Sequence, residues 1–319
     1  NGTTQASPIT ATHAYSALGL DSVRVTVTNS VGVSGSDSLA VIVDTSTAVV
    51  WVGAGDIADC TTNGDEQTAN LLDNIAGTVF AVGDNAYPNG STADFTNCYN
   101  PTWGRHKDRT RPVPGNHEYA TANAAGYFGY FGTAAGDPAQ GYYSYDLGDW
   151  HILAVNGELD VSTTSPQVQW LRADLAANTK RCTLAYWHGP RFVTGSVITS
   201  NSKYQTLWDT LYKYGAEVVV NGHKHSYERL APQNPSAVLD QTYGMREFVV
   251  GTGGTGLDGN TTATPIANSE VRNGVTWGVL KLTLHADSYS WQFVPVAATG
   301  PPGPVSGPRT RTRTTARTP

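Results

Sequence analysis

The sequence predicts an α/β protein whose main part is preceded by a short β segment. From residue 48 onward, short apolar runs alternate with stretches of helical periodicity, which is typical of sheets covered by helices. Residues 13–43 instead alternate apolar and polar side chains with a period of two, which indicates half-buried strands. Residues 277–296 predict a further pair of strands that turns near Ala286 and Asp287.

The first segment contains two predicted strands joined by a turn. The valines of "VRVTV" (23–27) fall on one face of the first strand, "NSVG" forms the turn, and residues 39–43 form the second strand. Two strands cannot bury a core by themselves. The segment resembles the C-terminal half of a PKD domain, a small immunoglobulin-like β-sandwich. We therefore interpret residues 1–44 as a partial PKD-like segment and "DTST" (44–47) as a linker.

The main part, residues 48–297, is predicted to contain the catalytic domain. Its apolar runs predict strands at 48–55, 78–83, near 111–113, and at 182–187, 217–221 and 246–250. Its helical patterns cover 65–77, 166–178 and 202–215, the last ended by Gly215 as a C-cap. Residues 298–319 lack periodicity and are rich in Pro, Thr and Arg, so we expect a disordered tail.

Charge and hydropathy exclude two classes of partner. The net charge is −6, and the last eleven residues contain four arginines and no acid, so the rest of the chain carries −10. An acidic body argues against general nucleic-acid binding, which needs a basic face. No run approaches the ~20 apolar residues of a membrane span. The oligomeric state cannot be predicted from the sequence.

The three cysteines are too few for a disulfide framework and lack zinc-finger spacing. Cys60 and Cys98 lie just beyond two strand ends that we expect to be neighbours, so a disulfide between them is plausible. Such a bond indicates an oxidising compartment, and we expect a secreted or cell-surface protein with no signal peptide within this chain. Cys182 lies in an apolar strand and is interpreted as a buried thiol.

Five predicted strands end in polar residues. They are Asp56 after "VGAG", Asp84 and Tyr87 in "VGDNAY", Asn116 and His117 in "PGNHE", His188 in "YWHGP", and His223 and His225 in "NGHKH". Each has a simpler explanation when taken alone: a lone histidine at a strand end is more often a hydrogen-bonded core residue, and a Gly-Asp pair is usually a turn. Because ligands gather at the carboxyl ends of strands in open α/β sheets, five such endings favour one shared site.

Apart from His117, the polar residues that follow the five strands are two Asp, one Tyr, one Asn and three His, with no thiolate among them. Seven donors are too many for one tetrahedral zinc ion but suit two metal ions that share a carboxylate. Oxygen donors combined with imidazoles favour Fe, Zn or Mn over copper or an iron–sulfur cluster.

The motifs GD-x-A-D, GD-x-x-Y, GNHE, a strand-end His and GH-x-H together resemble those of the calcineurin-like metallophosphoesterases. Tyr87 points to the purple acid phosphatase branch and its bacterial secreted relatives. Many metallophosphoesterases carry a histidine where this chain has Ala58, and Tyr87 looks like its replacement. The resemblance covers residues 48–297 and implies a four-layer α/β/β/α sandwich.

The resemblance also implies a ligand set for two metal ions. Asp56, Tyr87 and His225 would bind one ion, Asn116, His188 and His223 the other, and Asp84 would bridge them. Tyrosinate strongly prefers a trivalent cation, so Fe(III) is expected at the Tyr87 site, with Zn, Mn or Fe(II) at the other.

The implied activity is that of an acid phosphatase-like hydrolase: phosphate monoesters would be cleaved by attack of a metal-bound hydroxide at the dinuclear centre. His117 would stabilise the transition state or protonate the leaving group, or else serve only as a hydrogen-bonding support. Arg191, which follows His188, is a candidate substrate-binding residue. Lys224 either attracts phosphate or is simply solvated, and we favour the second interpretation.

Two other functions remain open. One is a phosphodiesterase or nucleotidase that uses the same site, because motifs do not show the pocket walls. The other is a non-catalytic surface binding protein with a structural metal site. For either enzyme the expected partner is a small phosphorylated substrate, whose identity the sequence does not reveal.

Overall fold

The computed structural model describes residues 19–28, 30–32, 34–43, 48–259, 262–296 and 306–310. The chain divides into two compact units, Asn1–Thr47 and Ala48–Pro319. The predicted linker at 44–47 lies outside the described residues.

The described part of the first unit is an antiparallel pair of strands. Strand β1 spans Gly19–Thr28 and β2 spans Ser34–Val43, and their register places Thr28 opposite Ser34. The two strands predicted from the alternating pattern are present and longer than the pattern suggested. The PKD-like interpretation stays a prediction, because a hairpin occurs in many β folds.

The second unit contains two mixed sheets with helices. Its strands are β3 Val49–Ala54, β4 Thr78–Val82, β5 Thr110–Val113, β6 Tyr143–Leu147, β7 Trp150–Ala154, β8 Cys182–Tyr186, β9 Val218–Asn221, β10 Tyr227–Leu230, β11 Arg246–Val250, β12 Ser269–Asn273, β13 Gly278–Leu284, β14 Ser288–Pro295 and β15 Ser306–Thr310. Its α-helices are α1 Gly64–Asp73, α2 Thr92–Asp94, α3 Ala125–Phe131, α4 Pro166–Ala177 and α5 Gln205–Lys213. Short 3-10 turns cover Trp103–Arg109, Glu118–Ala120, Ala122–Ala124, Gly132–Ala135 and Ser202–Tyr204, and Phe95–Tyr99 is π-helical.

Each sheet combines a parallel block with antiparallel strands, which flank the block on both sides in the seven-stranded sheet and on one side in the six-stranded sheet. The six-stranded sheet has the order β15-β14-β13-β3-β4-β5, with β3, β4 and β5 parallel. The seven-stranded sheet has the order β12-β10-β11-β9-β8-β7-β6, with β7, β8, β9 and β11 parallel. Parallel strands in one sheet present their carboxyl ends at the same edge, which positions the loops that follow them.

The two sheets pack face to face, and helices cover them. Trp51 of β3 and Phe80 of β4 stack on each other, and both contact the ring of Tyr186 in β8. Helices α4 and α5 pack with the seven-stranded sheet in a second apolar cluster, and α1 contributes Ala69 and Leu72 to the first. This arrangement confirms the predicted α/β/β/α fold class.

Most elements of the second unit agree with the prediction to within a few residues. Helix α4 begins where Ser165 caps the backbone N–H of Val168 and Pro166 occupies the first turn, and α5 ends before Gly215, whose φ is +79°. Strands β6, β7, β10 and β12 were not predicted. The β6–β7 hairpin turns at Gly148, whose φ is +60°, and its aromatic strand β6 is only half-buried.

The C-terminal segment differs from the prediction in one place. Within 298–319, where we expected disorder, residues Ser306–Thr310 pair antiparallel with β14. An edge strand offers unpaired N–H and C=O groups to any extended segment, so this pairing does not require a side-chain pattern that the sequence would reveal. The rest of the segment lies outside the described residues.

The plausible disulfide is present: Cys60 and Cys98 are bonded, with their Cα atoms 5.1 Å apart. Cys182 is a buried thiol, as expected. None of the helices in the described part of the chain has the length and apolarity of a membrane span.

Candidate metal centre

The predicted site residues follow the carboxyl ends of β3, β4, β5, β8 and β9. Asp56 is fully buried and Asp84 is 1% exposed. Asp56, Asp84 and His223 have φ angles of 58°, 47° and 67°, in the left-handed region that non-glycine residues rarely adopt. Such strain at three predicted ligands is typical of a functional site, where the surrounding structure holds the backbone in place.

Glycines beside these residues leave room for the carboxylates. A Cβ atom at Gly115 would lie 2.2 Å from Oδ1 of Asp84, and one at Gly222 would lie 2.7 Å from Oδ2 of Asp56. Both distances are far inside van der Waals contact. The glycines therefore let neighbouring strand ends close around the two acids.

Tyr87 joins three of the predicted ligands. Its hydroxyl oxygen lies 3.0 Å from Oδ1 of Asp56, 3.3 Å from Oδ2 of Asp84 and 3.2 Å from Nε2 of His225. Nε2 of His225 is in turn 3.3 Å from Oδ1 of Asp56. The structure thus brings together four donors, Asp56, Asp84, Tyr87 and His225.

His188 and His223 approach the same aspartate from the other sheet. Nε2 of His188 lies 3.0 Å from Oδ2 of Asp84, and the rings of His188 and His223 are 5.0 Å apart. One ligand atom from each of Asp84, His188 and His223 lies within 4.8 Å of the other two. These three residues form a candidate metal site.

The hydrogen bonds of His188 indicate that a cation fits between it and Asp84. Its Nδ1 lies 2.9 Å from the carbonyl oxygen of Val82, to which it can donate. Its Nε2 is buried and makes no hydrogen bond of acceptable geometry, although the carboxylate is close. In the neutral form of His188, with its proton on Nδ1, the lone pair on Nε2 would face a carboxylate oxygen, and a positive ion bound by both would stabilise that arrangement. The donor set fits metal ions such as Fe, Zn or Mn.

The titration behaviour of the cluster also favours positive charge at its centre. Burial raises the pKa of Asp84, but His188 and His117 lower it to about 2. Burial lowers the pKa of His188, but Asp84 and Asp56 raise it to about 10. Burial, together with the positive charge of His188, lowers the pKa of His223 to about 4. The Asp84 carboxylate therefore remains ionised and attracts a cation.

Tyr87 is protonated unless a strong cation binds it. Burial and the charges of Asp56 and Asp84 raise the pKa of the Tyr87 hydroxyl well above its usual value. Phenolate formation at this position would therefore require a metal ion of high charge next to the oxygen.

His117 is oriented toward the cluster. Its backbone N–H donates to Oδ1 of Asp84 over 2.9 Å, and its Nδ1 lies 2.6 Å from the carbonyl oxygen of Pro88. Its Nε2 lies 3.8 Å from Oδ2 of Asp84, and the side chain is 35% exposed. His117 therefore presents Nε2 to both the cluster and solvent.

Asn116 lies at the mouth of the site. Its side chain is exposed and lines a cavity of about 480 Å³ together with His188 and His223. The structure thus places Asn116 beside the two histidines that the prediction grouped with it.

Two charged residues make contacts that the sequence did not predict. The Arg191 guanidinium donates to Oε1 of Gln205 and packs on Phe192, and its role in substrate binding stays a prediction. The favoured interpretation of Lys224 as a solvated residue is wrong: Lys224 is 7% exposed and its ammonium pairs with Asp258. The same carboxylate accepts the backbone N–H of His225 over 3.2 Å. A residue distant along the chain supplies this acid, so the motif did not reveal it.

Glu118 is a supporting residue that the sequence analysis missed. This fully buried carboxylate accepts backbone N–H groups from Asn85 at 2.8 Å, Ala86 at 3.2 Å and Gly115 at 2.7 Å. Burial and the charge of Asp84 raise its pKa to about 8, which the N–H donors oppose. Glu118 therefore ties the loop that carries Asp84 and Tyr87 to the loop that carries Asn116. Its position in "GNHE" was the available signal.

Comparison with known proteins finds a matching family and similar sequences. The calcineurin-like phosphoesterase family model matches residues 41–227, more than half of the chain. Purple acid phosphatase 15 of Arabidopsis thaliana is 28% identical over 205 residues, covering 53% of this chain and 38% of that protein. For purple acid phosphatase 23 of the same plant the alignment covers 45% of the relative, so the chain spans less than half the length of these curated relatives.

Solved structures share the fold. A purple acid phosphatase from yellow lupin (Lupinus luteus) seeds matches with a TM-score of 0.63 at 18% identity, over 91% of this chain and 59% of that one. The anchor protein of the Plasmodium inner membrane complex matches with a TM-score of 0.63 at 13% identity, over 85% of this chain and 90% of that one.

Proposed function

The chain belongs to the calcineurin-like phosphoesterase family, and we propose that it hydrolyses phosphate monoesters at a dinuclear metal centre. One observation carries the proposal: Oδ2 of Asp84 lies 3.3 Å from the Tyr87 hydroxyl oxygen and 3.0 Å from Nε2 of His188. A single carboxylate oxygen thus stands between two groups of donors, as a ligand shared by two metal ions can.

The residues that would hold the ions divide between the two sides of Asp84. They are Asp56, Tyr87 and His225 for one ion, and Asn116, His188 and His223 for the other. Fe(III) suits the Tyr87 side because a phenolate needs a highly charged partner, and Zn, Mn or Fe(II) suits the other. Two such cations would lower the pKa of a water molecule and neutralise charge on the phosphoryl group.

His117 supplies a group that can move a proton. In the hydrolysis, the attacking water gives up a proton to solvent and its oxygen forms a new P–O bond, the P–O bond to the alcohol breaks, and the departing alkoxide takes up a proton. The Pro88 carbonyl oxygen accepts the Nδ1–H of His117, which leaves Nε2 to give that proton to the alkoxide. The partial exposure of His117 lets its proton be replaced from solvent.

We also propose a secreted or cell-surface location. The disulfide between Cys60 and Cys98 supports this, since such bonds persist in oxidising compartments and are rare in the cytosol. A small phosphorylated substrate is the expected partner.

The test combines metal analysis with two chromogenic substrates. Protein purified without chelators should contain two metal ions per chain and should cleave p-nitrophenyl phosphate faster than bis(p-nitrophenyl) phosphate. A preference for the diester would indicate a phosphodiesterase on the same site. Protein that retains two ions but cleaves neither compound would favour the non-catalytic alternative. The Plasmodium anchor protein, which shares this fold, would then be the relevant protein for comparison.

A further inference from the structure

The cavity beside the candidate metal centre extends well beyond the predicted ligands. It has a volume of about 480 Å³ and is continuous with Asn116, His188 and His223. Its outer walls come from the loop after β7 and from residues 189–190 and 197–204. A phosphate group bound at the ligands would direct its alcohol portion into this space.

Glu158 lies in this cavity as a half-buried carboxylate. It follows β7, whose carboxyl end lies beside that of β8 in the parallel part of the sheet. Its backbone N–H donates to Oδ1 of Asn156 over 3.1 Å, which holds the loop. Among the residues that the structure describes, none donates a hydrogen bond to its carboxylate or forms an ion pair with it. The carboxylate is therefore available to a ligand.

The surroundings of Glu158 are mainly polar. A run of residues with hydroxyl and amide side chains, Thr199, Ser200, Asn201 and Ser202, also lines the cavity, with Lys203 exposed at its end. Pro190, Val197 and Ile198 supply the apolar part of the lining. Tyr204 lines the same cavity, and a Cβ atom at Gly157, the residue before Glu158, would lie 3.3 Å from Cε1 of Tyr204.

We propose that this cavity binds the alcohol portion of the phosphoester and that Glu158 selects alcohols with several hydroxyl groups, such as a singly phosphorylated sugar or polyol. The inference rests on the proposed function. Hydroxyl donors would satisfy the carboxylate, whereas an alkyl group would desolvate it without a hydrogen bond. A second phosphate on the substrate would be repelled by its negative charge.

A matched pair of substrates tests the preference. Sorbitol 6-phosphate and n-hexyl phosphate are both six-carbon primary phosphates, and they differ in the hydroxyl groups alone. The wild-type protein should show a kcat/KM for sorbitol 6-phosphate that is at least about 10-fold higher, the size expected for hydrogen bonds to a charged acceptor. A ratio near one would overturn the proposal.

Substitution of Glu158 identifies the residue responsible. In Glu158→Gln the ratio of the two kcat/KM values should decrease about 10-fold. Glu158→Asp retains the charge on a shorter side chain, so its ratio should lie between those of the wild type and Glu158→Gln. Asp149→Asn is the charge-matched control: Asp149 is exposed and precedes β7 at the opposite edge of the sheet, so the ratio should not change. Equal losses for both substrates in Glu158→Gln would overturn the proposal, because Glu158 would then support the centre and not the alcohol.

A binding measurement separates this proposal from the proposed function. If no phosphomonoester is cleaved, including p-nitrophenyl phosphate, the proposed function fails. Calorimetric titration with sorbitol 6-phosphate still tests the cavity. Binding that weakens about 10-fold in Glu158→Gln supports the proposal. Binding that is undiminished in Glu158→Gln, or that is absent in the wild type, refutes it.

Discussion

The hydroxyl oxygen of Tyr87 lies 3.0 Å from Oδ1 of Asp56, although the two residues follow different strands of the six-stranded sheet. The same oxygen is 3.2 Å from Nε2 of His225, which comes from the other sheet. The phenol is therefore the point at which donors from both sheets meet.

Replacement of Tyr87 by phenylalanine tests its role as a ligand. If Tyr87 binds Fe(III) as a phenolate, the visible charge-transfer absorption of the wild type should disappear in Tyr87→Phe. Phosphatase activity should fall by more than the roughly 10- to 100-fold typical of residues that only support a ligand. Tyr130→Phe, which removes a hydroxyl that bonds Asn100 away from the cluster, should keep the absorption band. A band that survives in Tyr87→Phe would remove Tyr87 from the ligand set.

Replacement of His117 by asparagine tests proton donation. A general acid contributes typically ~10²- to 10⁴-fold to the rate, and an alkyl phosphate needs the proton more than an aryl phosphate does. His117→Asn should therefore lower kcat by ~100-fold or more for an alkyl phosphate and by clearly less for p-nitrophenyl phosphate. Elemental analysis should show an unchanged metal content. Equal losses for both substrates would indicate a supporting role.

Replacement of Glu118 by glutamine tests how the loops of the site are held. The amide nitrogen of glutamine would meet one of three backbone N–H donors, so the free energy of unfolding should fall by about 1–3 kcal/mol, measured by urea denaturation. Metal content should fall as well, because these N–H groups belong to the loops that carry Asp84 and Asn116.

Glu247→Gln is the matched control for that experiment. Glu247 is also fully buried and accepts the backbone N–H groups of Arg191 and Phe192, outside the candidate centre. The Glu247→Gln protein should lose stability to a similar extent and should keep its metal ions. A Glu118→Gln protein with full metal content would argue against the positioning role.

His151 makes the stability of the protein depend on pH. Its Nδ1 lies 2.9 Å from Oδ1 of Asp146 and its Nε2 lies 2.5 Å from Oδ2 of Asp174. Burial lowers the pKa of His151, but the hydrogen bonds to Asp174 and Asp146 outweigh it, so the pKa in the folded protein is raised. The stabilisation is therefore fully present below the unfolded-state pKa of about 6.5 and is lost as the pH rises through the folded-state pKa.

His151→Gln should accordingly lower the free energy of unfolding by roughly 1–2 kcal/mol at pH 6 and by less at pH 9, measured by urea denaturation. In a double-mutant cycle, the Asp174→Asn background should remove most of the pH dependence of the stability loss caused by His151→Gln, because Asp174 is the nearer of the two acids. A difference that grows with pH would contradict the assignment.

The disulfide between Cys60 and Cys98 should add substantial stability. It closes a loop with a sequence separation of 38, for which the chain-entropy estimate is about 4 kcal/mol. The double variant Cys60→Ser/Cys98→Ser should lose stability of that order in urea denaturation. Thiol titration of the denatured wild type should find one thiol before reduction and three after it. Three thiols without reductant would show that the bond does not form.

The sequence predicted the fold class and the family correctly, because both depend on local patterns. The apolar composition of strands such as "TVFAV" predicts that they are buried, and the family motifs lie within a few residues of a strand end. The β6–β7 hairpin escaped prediction because strand β6 is half-buried and mixes aromatic with polar residues, so its pattern resembles that of a loop. Glu158 follows that hairpin, and its place in the cavity was hidden for the same reason.

The sequence by itself determined which donors exist and that each follows a strand end, since strand burial and glycine turns are encoded by neighbouring residues. The tertiary structure alone decided which atoms meet: Oδ2 of Asp84 between Tyr87 and His188, and Lys224 against Asp258. These contacts join different strands, loops or sheets, so they depend on how the two sheets pack. That packing comes from apolar contacts spread over the whole second unit, and no local motif contains it.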